Sequence, residues 1–146
     1  MMRTVETGSA AETFNLGRQM GQAAKAGDIF ALSGDLGTGK TVFTQGFAEG
    51  LGIKEPVTSP TFTILQLYEE GRLPLYHFDL YRISEAEELD EIGCDEYFYG
   101  KGVCLVEWAE LFPELFPKEA VRIRILKDPG KGTEYRKIQI QRDDPI

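Results

Sequence analysis

Only two of the 146 residues are cysteine and one is histidine. Cys94 and Cys104 do not form a CxxC pair, and Cys104 lies inside an apolar run, so buried thiols are the expected reading. A single imidazole, His77, leaves too few ligands for a zinc site. Asparagine is just as scarce. Asn15 stands alone near the start, so the Asn-Lys-x-Asp motif that selects guanine has no place, which sets aside a regulatory GTPase. No apolar run approaches the ~20 residues needed to cross a bilayer. Met1 to Ala10 lacks the basic start and apolar stretch of a signal peptide, and the expected compartment is the cytoplasm. Positive charge is in deficit, 16 Lys and Arg against 24 Asp and Glu, for a net charge of −8. Such a chain is a poor candidate for gripping RNA alone, because that affinity comes from neutralising phosphates. It can still act on a nucleic acid through a basic partner.

What remains is the composition of one soluble globular domain, expected to span residues 1–146. Arg3 to Thr7 reads as an opening strand. Ser9 suits a helix N-cap, with Phe14, Leu16 and Met20 on one face of a helix running to Lys25. Asp28 to Ser33 is a short apolar run of the kind buried on both faces of a sheet. A glycine-rich loop follows, and then Lys40 to Gly50 carries Val42, Phe43 and Phe47 at helical spacing. After a Pro, Thr and Ser linker from Ile53 to Thr61, Phe62–Tyr68 and Leu73–Tyr81 read as strands joined by a turn at Glu69–Arg72. Glu85 to Ile92 reads as a short helix stopped by Gly93, and Val103 to Val106 as another buried strand ending at Glu107. A helical segment from Trp108 or Ala109 towards Phe116 is limited by Pro113. Val121–Leu126 and Tyr135–Gln141 flank the turn signal Asp128-Pro129-Gly130-Lys131-Gly132, predicting a C-terminal antiparallel hairpin. The class is α/β: a P-loop NTPase-like mixed sheet flanked by helices.

Gly34-Asp35-Leu36-Gly37-Thr38-Gly39-Lys40-Thr41 satisfies GxxxxGK[ST], between a strand and a helix. Glycines let the backbone turn tightly and approach phosphate oxygens, and the amides at the next helix's N-terminus form a concave anion site. Lys40 places an ammonium on the β- and γ-phosphates, and Thr41 offers a hydroxyl to Mg²⁺. The expected ligand is ATP with magnesium. Such a site needs a carboxylate at the end of a neighbouring strand. Glu107 follows four apolar residues and is assigned to the metal. Asp79 ends Leu75-Tyr76-His77-Phe78-Asp79 and is assigned to the metal, to its surrounding shell, or to the attacking water. Period-two alternation puts His77 and Asp79 on one face. For either acid the alternative is a solvent carboxylate at a strand end; for His77 it is a buried, hydrogen-bonded ring. Thr58-Ser59-Pro60-Thr61 fits either a segment that senses the γ-phosphate or an ordinary Ser-Pro turn. Trp108 is either a core residue or a neighbour of the nucleotide.

The loop motif, Ser59-Pro60-Thr61-Phe62, His77-Phe78-Asp79-Leu80-Tyr81-Arg82 and Leu105-Val106-Glu107-Trp108, in that order, resemble the TsaE family of small bacterial P-loop ATPases. The resemblance runs from about Thr13 to Glu110. It implies weak ATP hydrolysis in making threonylcarbamoyladenosine on tRNA, with TsaB and TsaD as partners. It further implies nucleotide contacts from the loop, Gly34 through Val42, with Ser59 and Trp108, and catalytic roles for Lys40, Thr61, Asp79 and Glu107. The C-terminal hairpin carries no role from the resemblance. Two further rivals remain. A small-molecule kinase shares the loop but usually carries an arginine-bearing lid, and only Arg72 and Arg82 lie between Lys40 and Glu119. A nucleotide-binding module without hydrolysis would differ only in having idle carboxylates.

Overall fold

The computed structural model describes residues 2–34, 38–57, 65–85, 87–98 and 100–142. Among them, seven strands form one mixed sheet in the order β1-β7-β6-β2-β5-β4-β3. The strands are β1 (Met2–Thr7), β2 (Ile29–Ser33), β3 (Leu65–Tyr68), β4 (Leu75–Asp79), β5 (Val103–Glu107), β6 (Val121–Lys127) and β7 (Arg136–Gln141). β2 runs parallel to β5 and β6, and β5 runs parallel to β4; β3, β7 and β1 are antiparallel to their neighbours. The apolar run in β2 thus lies at the sheet's centre. Phe30 and Leu32 enter one core and Ile29 and Ala31 the other, as a strand covered on both faces requires.

Helices α1 (Ala10–Ala23) and α2 (Lys40–Gly50) cover the first face. Ser9 caps α1: its Oγ accepts from Glu12 N–H at 3.2 Å, while the Glu12 carboxylate accepts from Gly8 N–H at 2.9 Å. The two helices touch backbone to backbone. A Cβ on Gly17 or Gly21 would sit 2.3 or 2.2 Å from the carbonyl oxygens of Phe43 or Phe47. One on Gly46 or Gly50 would meet those of Phe14 or Arg18 at 2.1 or 2.2 Å. Two Gly-x-x-x-Gly pairs therefore set how closely α2, which begins at Lys40, packs on α1.

On the opposite face lie α3 (Glu87–Ile92) and α4 (Cys94–Phe98). The helix expected from Glu85 begins at Glu87, and Gly93, with φ 79°, turns the chain into α4, which periodicity did not reveal because the helix has only five residues. The strand expected over Leu73–Tyr81 is narrower, Leu75–Asp79; that over Phe62–Tyr68 is seen as Leu65–Tyr68, its first residues lying outside the described chain. The expected helical segment after Glu107 is two 3₁₀ turns, Ala109–Leu111 and Pro113–Leu115, because Pro113 cannot donate a bond within a longer helix. The C-terminal hairpin is present as expected and pairs with β1. Cys104 is buried, its Sγ donating to Tyr97 O at 3.3 Å.

Candidate functional site

The site lies where β2, β5 and β4 end together. Leu32 pairs with Glu107 and Glu107 with Asp79, so the two acids sit side by side on neighbouring parallel strands. Paired residues on parallel strands project to the same face. His77 and Asp79 share that face with α2, whereas Phe78 between them packs into the opposite core. The carboxyl ends of strands in an open α/β sheet are where such folds bind ligands.

Two glycines shape the described part of the loop. At Gly34, with φ 147°, a Cβ would meet Ile125 O at 2.7 Å and Thr38 Oγ1 at 2.9 Å. Gly39 is the left-handed N-cap of α2, with φ 96°, and no side chain caps the helix. The first amides of α2 thus face the loop without an intrahelical acceptor, the arrangement that binds anions. Lys40 is 7% exposed. Its Nζ donates to Gly34 O at 2.7 Å and lies 3.9 Å from the centroid of the Trp108 ring. Among the described residues it forms no ion pair, an unusual position for a buried ammonium. Thr41 is exposed in the first turn of α2 and Val42 is half-buried. Asp35, Leu36 and Gly37 lie outside the described residues, as do Thr58, Ser59, Pro60 and Thr61.

Trp108 is therefore beside the loop rather than distant from it. Its φ of 60° and ψ of 32° make it the sole non-glycine residue with positive φ among those described. That conformation costs on the order of 1–2 kcal/mol, and it turns the ring onto Lys40 and against Tyr81, whose ring centroid is 4.8 Å away. Glu107 is 4% exposed, and its Oε2 is 2.6 Å from Nε2 of His77, which is 1% exposed. Asp79 is half-buried and its Oδ1 accepts from Tyr81 N–H at 2.9 Å. Leu80 N–H donates to Glu107 O at 3.1 Å, tying the two strand ends together.

Sequence reasoning missed the other flank. Arg136, on the hairpin's second strand, donates from Nε to Thr38 O at 2.7 Å, and from Nη1 to Thr133 O and Tyr135 O at 2.8 and 2.6 Å. Arg136 and Glu134 also line a cleft of about 100 Å³ with Ala10, Thr13, Thr38, Gly39 and Val42, against the outer side of the loop. No short motif marks such an arginine; its alternating basic strand was the one available signal. Glu110 reaches the loop more loosely, accepting from Gly34 N–H at 3.4 Å.

A loop with glycines at its turns, an inward lysine, a hydroxyl on the following helix and strand-end acids on one side fits Mg²⁺ with a nucleotide's phosphates. Mg²⁺ is commonly held by one or two carboxylates plus phosphate and water oxygens. The fold and the loop define a P-loop-like α/β protein.

Residues 7–138 match the family model described as threonylcarbamoyl adenosine biosynthesis protein TsaE, and the chain belongs to that family. It is 53% identical over 119 residues to the tRNA threonylcarbamoyladenosine biosynthesis protein TsaE of Bacillus subtilis, covering 82% of this chain and 73% of that one. The protein of the same name from Treponema pallidum is 45% identical over 125 residues, covering 84% and 92%. The crystal structure of Bacillus subtilis YdiB superposes with a TM-score of 0.83 at 44% identity, covering 97% of this chain and 86% of that one.

Proposed function

We propose that this chain is a Mg²⁺-dependent P-loop ATPase that serves N6-threonylcarbamoyladenosine formation at adenosine 37 of tRNA by acting on a TsaB–TsaD pair. The observation that carries the reading is Lys40: a nearly buried ammonium held by a loop carbonyl and an aromatic face, with Glu107 and Asp79 in register on the adjoining strands. A cation so placed is poised to exchange uncharged partners for anionic phosphate oxygens. Thr41 and Glu107 are the residues that would hold Mg²⁺, with Asp79 beside them for the metal or its water. Bound Mg²⁺ would supply charge neutralisation for the departing phosphoryl group.

The names of the relatives support the tRNA product, and the resemblance supports the partners. Absence of an arginine-bearing lid argues against a kinase, and the acidic charge argues that others hold the tRNA. The Thr58–Thr61 segment, with Ser59 and Thr61, is the proposed lever: ordered by the terminal phosphate, it would bias the fit of a partner. The test mixes purified TsaB, TsaD, tRNA and threonylcarbamoyl-adenylate with wild-type or Lys40→Ala protein and counts modified adenosines per complex. Repeated turnover only with the wild type supports the reading. Equal yields overturn it, and phosphate transfer by the lone chain to a small metabolite favours a kinase.

A further inference from the structure

Glu107 has one oxygen already engaged. His77 Nε2 lies 2.6 Å from Oε2, and both side chains are buried. A carboxylate offers only lone pairs, so the ring nitrogen facing it carries the proton. Nδ1 of the same ring is the one buried side-chain nitrogen or oxygen without a partner among the described residues. The second Glu107 oxygen has no hydrogen bond among the described residues. An orphaned ring nitrogen weakens the fold, and an apolar side chain at position 77 would avoid that cost. Packing therefore does not explain this histidine, but its Nε2 does.

We propose that His77 is a positioning residue for Glu107, fixing the carboxylate so that its free oxygen meets Mg²⁺ at the loop; this rests on the Mg-ATP reading of the site. The choice of side chain follows from charge. A lysine or arginine at position 77 would set a permanent cation against the carboxylate and compete with a divalent ion for it. An imidazole donates one hydrogen bond without needing that charge. Ligating carboxylates are commonly oriented by such outer partners, and losing one lowers metal affinity about 10- to 100-fold.

The experiment uses the untagged chain and three forms: wild type, His77→Phe, which keeps a ring without the donor, and His77→Gln, which restores an N–H. ATP affinity is measured by calorimetry in EDTA and across a Mg²⁺ series, with thermal melting alongside. For His77→Phe, metal-free affinity should stay within about twofold, while the Mg²⁺ needed for half-maximal enhancement rises about 10- to 100-fold. His77→Gln should recover most of the loss. Because His77 is the only histidine, two-bond ¹H–¹⁵N spectra of wild type should show one ring, protonated at Nε2. An unchanged Mg²⁺ requirement in His77→Phe, equal losses with and without metal, or an Nδ1-protonated ring each overturns the proposal. Should His77→Phe not fold, the ring spectrum decides together with His77→Gln, whose Mg²⁺ requirement should stay near that of the wild type; a rise of about tenfold or more there overturns the proposal. A wild type whose ATP affinity ignores Mg²⁺ overturns the underlying reading as well, which separates the two failures.

Discussion

The two flanks of the loop are built differently. On the β4–β5 side, short-range chemistry gathers: Glu107, His77, Asp79 and the Trp108 ring, all within two strand ends of Lys40. On the β6–β7 side there is shape, with Arg136 binding three carbonyls and Ile125 O pressed against Gly34. One flank offers groups that a metal or a phosphate can use, and the other holds the backbone that carries the amides. The difference implies that substitutions on the first flank alter metal dependence and turnover. Substitutions on the second should alter nucleotide affinity without touching the metal requirement.

The largest effect is expected from the acids. Asp79→Ala should bind ATP with a modest loss while partner-stimulated turnover falls about 100-fold, the pattern of a group acting mainly in the transition state. Glu107→Ala should weaken both and shift the Mg²⁺ requirement upward. Steady-state kinetics across a Mg²⁺ series separates them, and normal turnover in Asp79→Ala would remove its catalytic role. On the other flank, Arg136→Ala removes charge-assisted bonds worth about 1.5–3 kcal/mol each at most. Calorimetry should show about tenfold weaker ATP binding with an unchanged Mg²⁺ requirement; a shifted requirement would erase the distinction between flanks.

The smallest effect lies away from the site, where the linker leaves α2. The Glu70 carboxylate accepts from the N–H groups of Lys54 and Glu55 at 2.6 and 2.8 Å. Those two bonds, that from Glu55 foremost, hold its pKa below the ordinary 4.5. A lowered folded-state pKa contributes stability above the unfolded value, and loses it as pH falls through the folded value. Carboxyl NMR titration should therefore place Glu70 below 4.5, and Glu70→Gln should flatten the acid limb of the stability curve.

Legibility in the sequence followed the same division. The loop, its flanking strand and helix, and the two strand-end acids were readable because each depends on a few adjacent residues in a fixed period. The pairing of His77 with Glu107 was not, since it depends on which strands become neighbours and in what register. Arg136 was beyond reach for the same reason: 98 residues separate it from Thr38. The glycines of α1 and α2 were visible as letters, but Gly50 read only as a helix end. Its close approach to Arg18 appears once the helices are side by side. Trp108 stood open between core and a place beside the nucleotide; its ring packs against the second core cluster and lies over Lys40, on a left-handed backbone that no local pattern foretells.

The central claim is that the loop around Lys40 takes Mg-ATP, and Trp108 provides the reporter. With the Lys40 ammonium 3.9 Å from the ring centroid, phosphate oxygens that draw the cation away must change the ring's surroundings. Trp108 is the single tryptophan, so emission needs no assignment. Titrating ATP with Mg²⁺ into wild type should change that emission saturably, with GTP needing appreciably higher concentrations, and Lys40→Ala should show no saturable change over the same range. An unchanged spectrum at saturating Mg-ATP, or an identical titration in Lys40→Ala, would contradict the account.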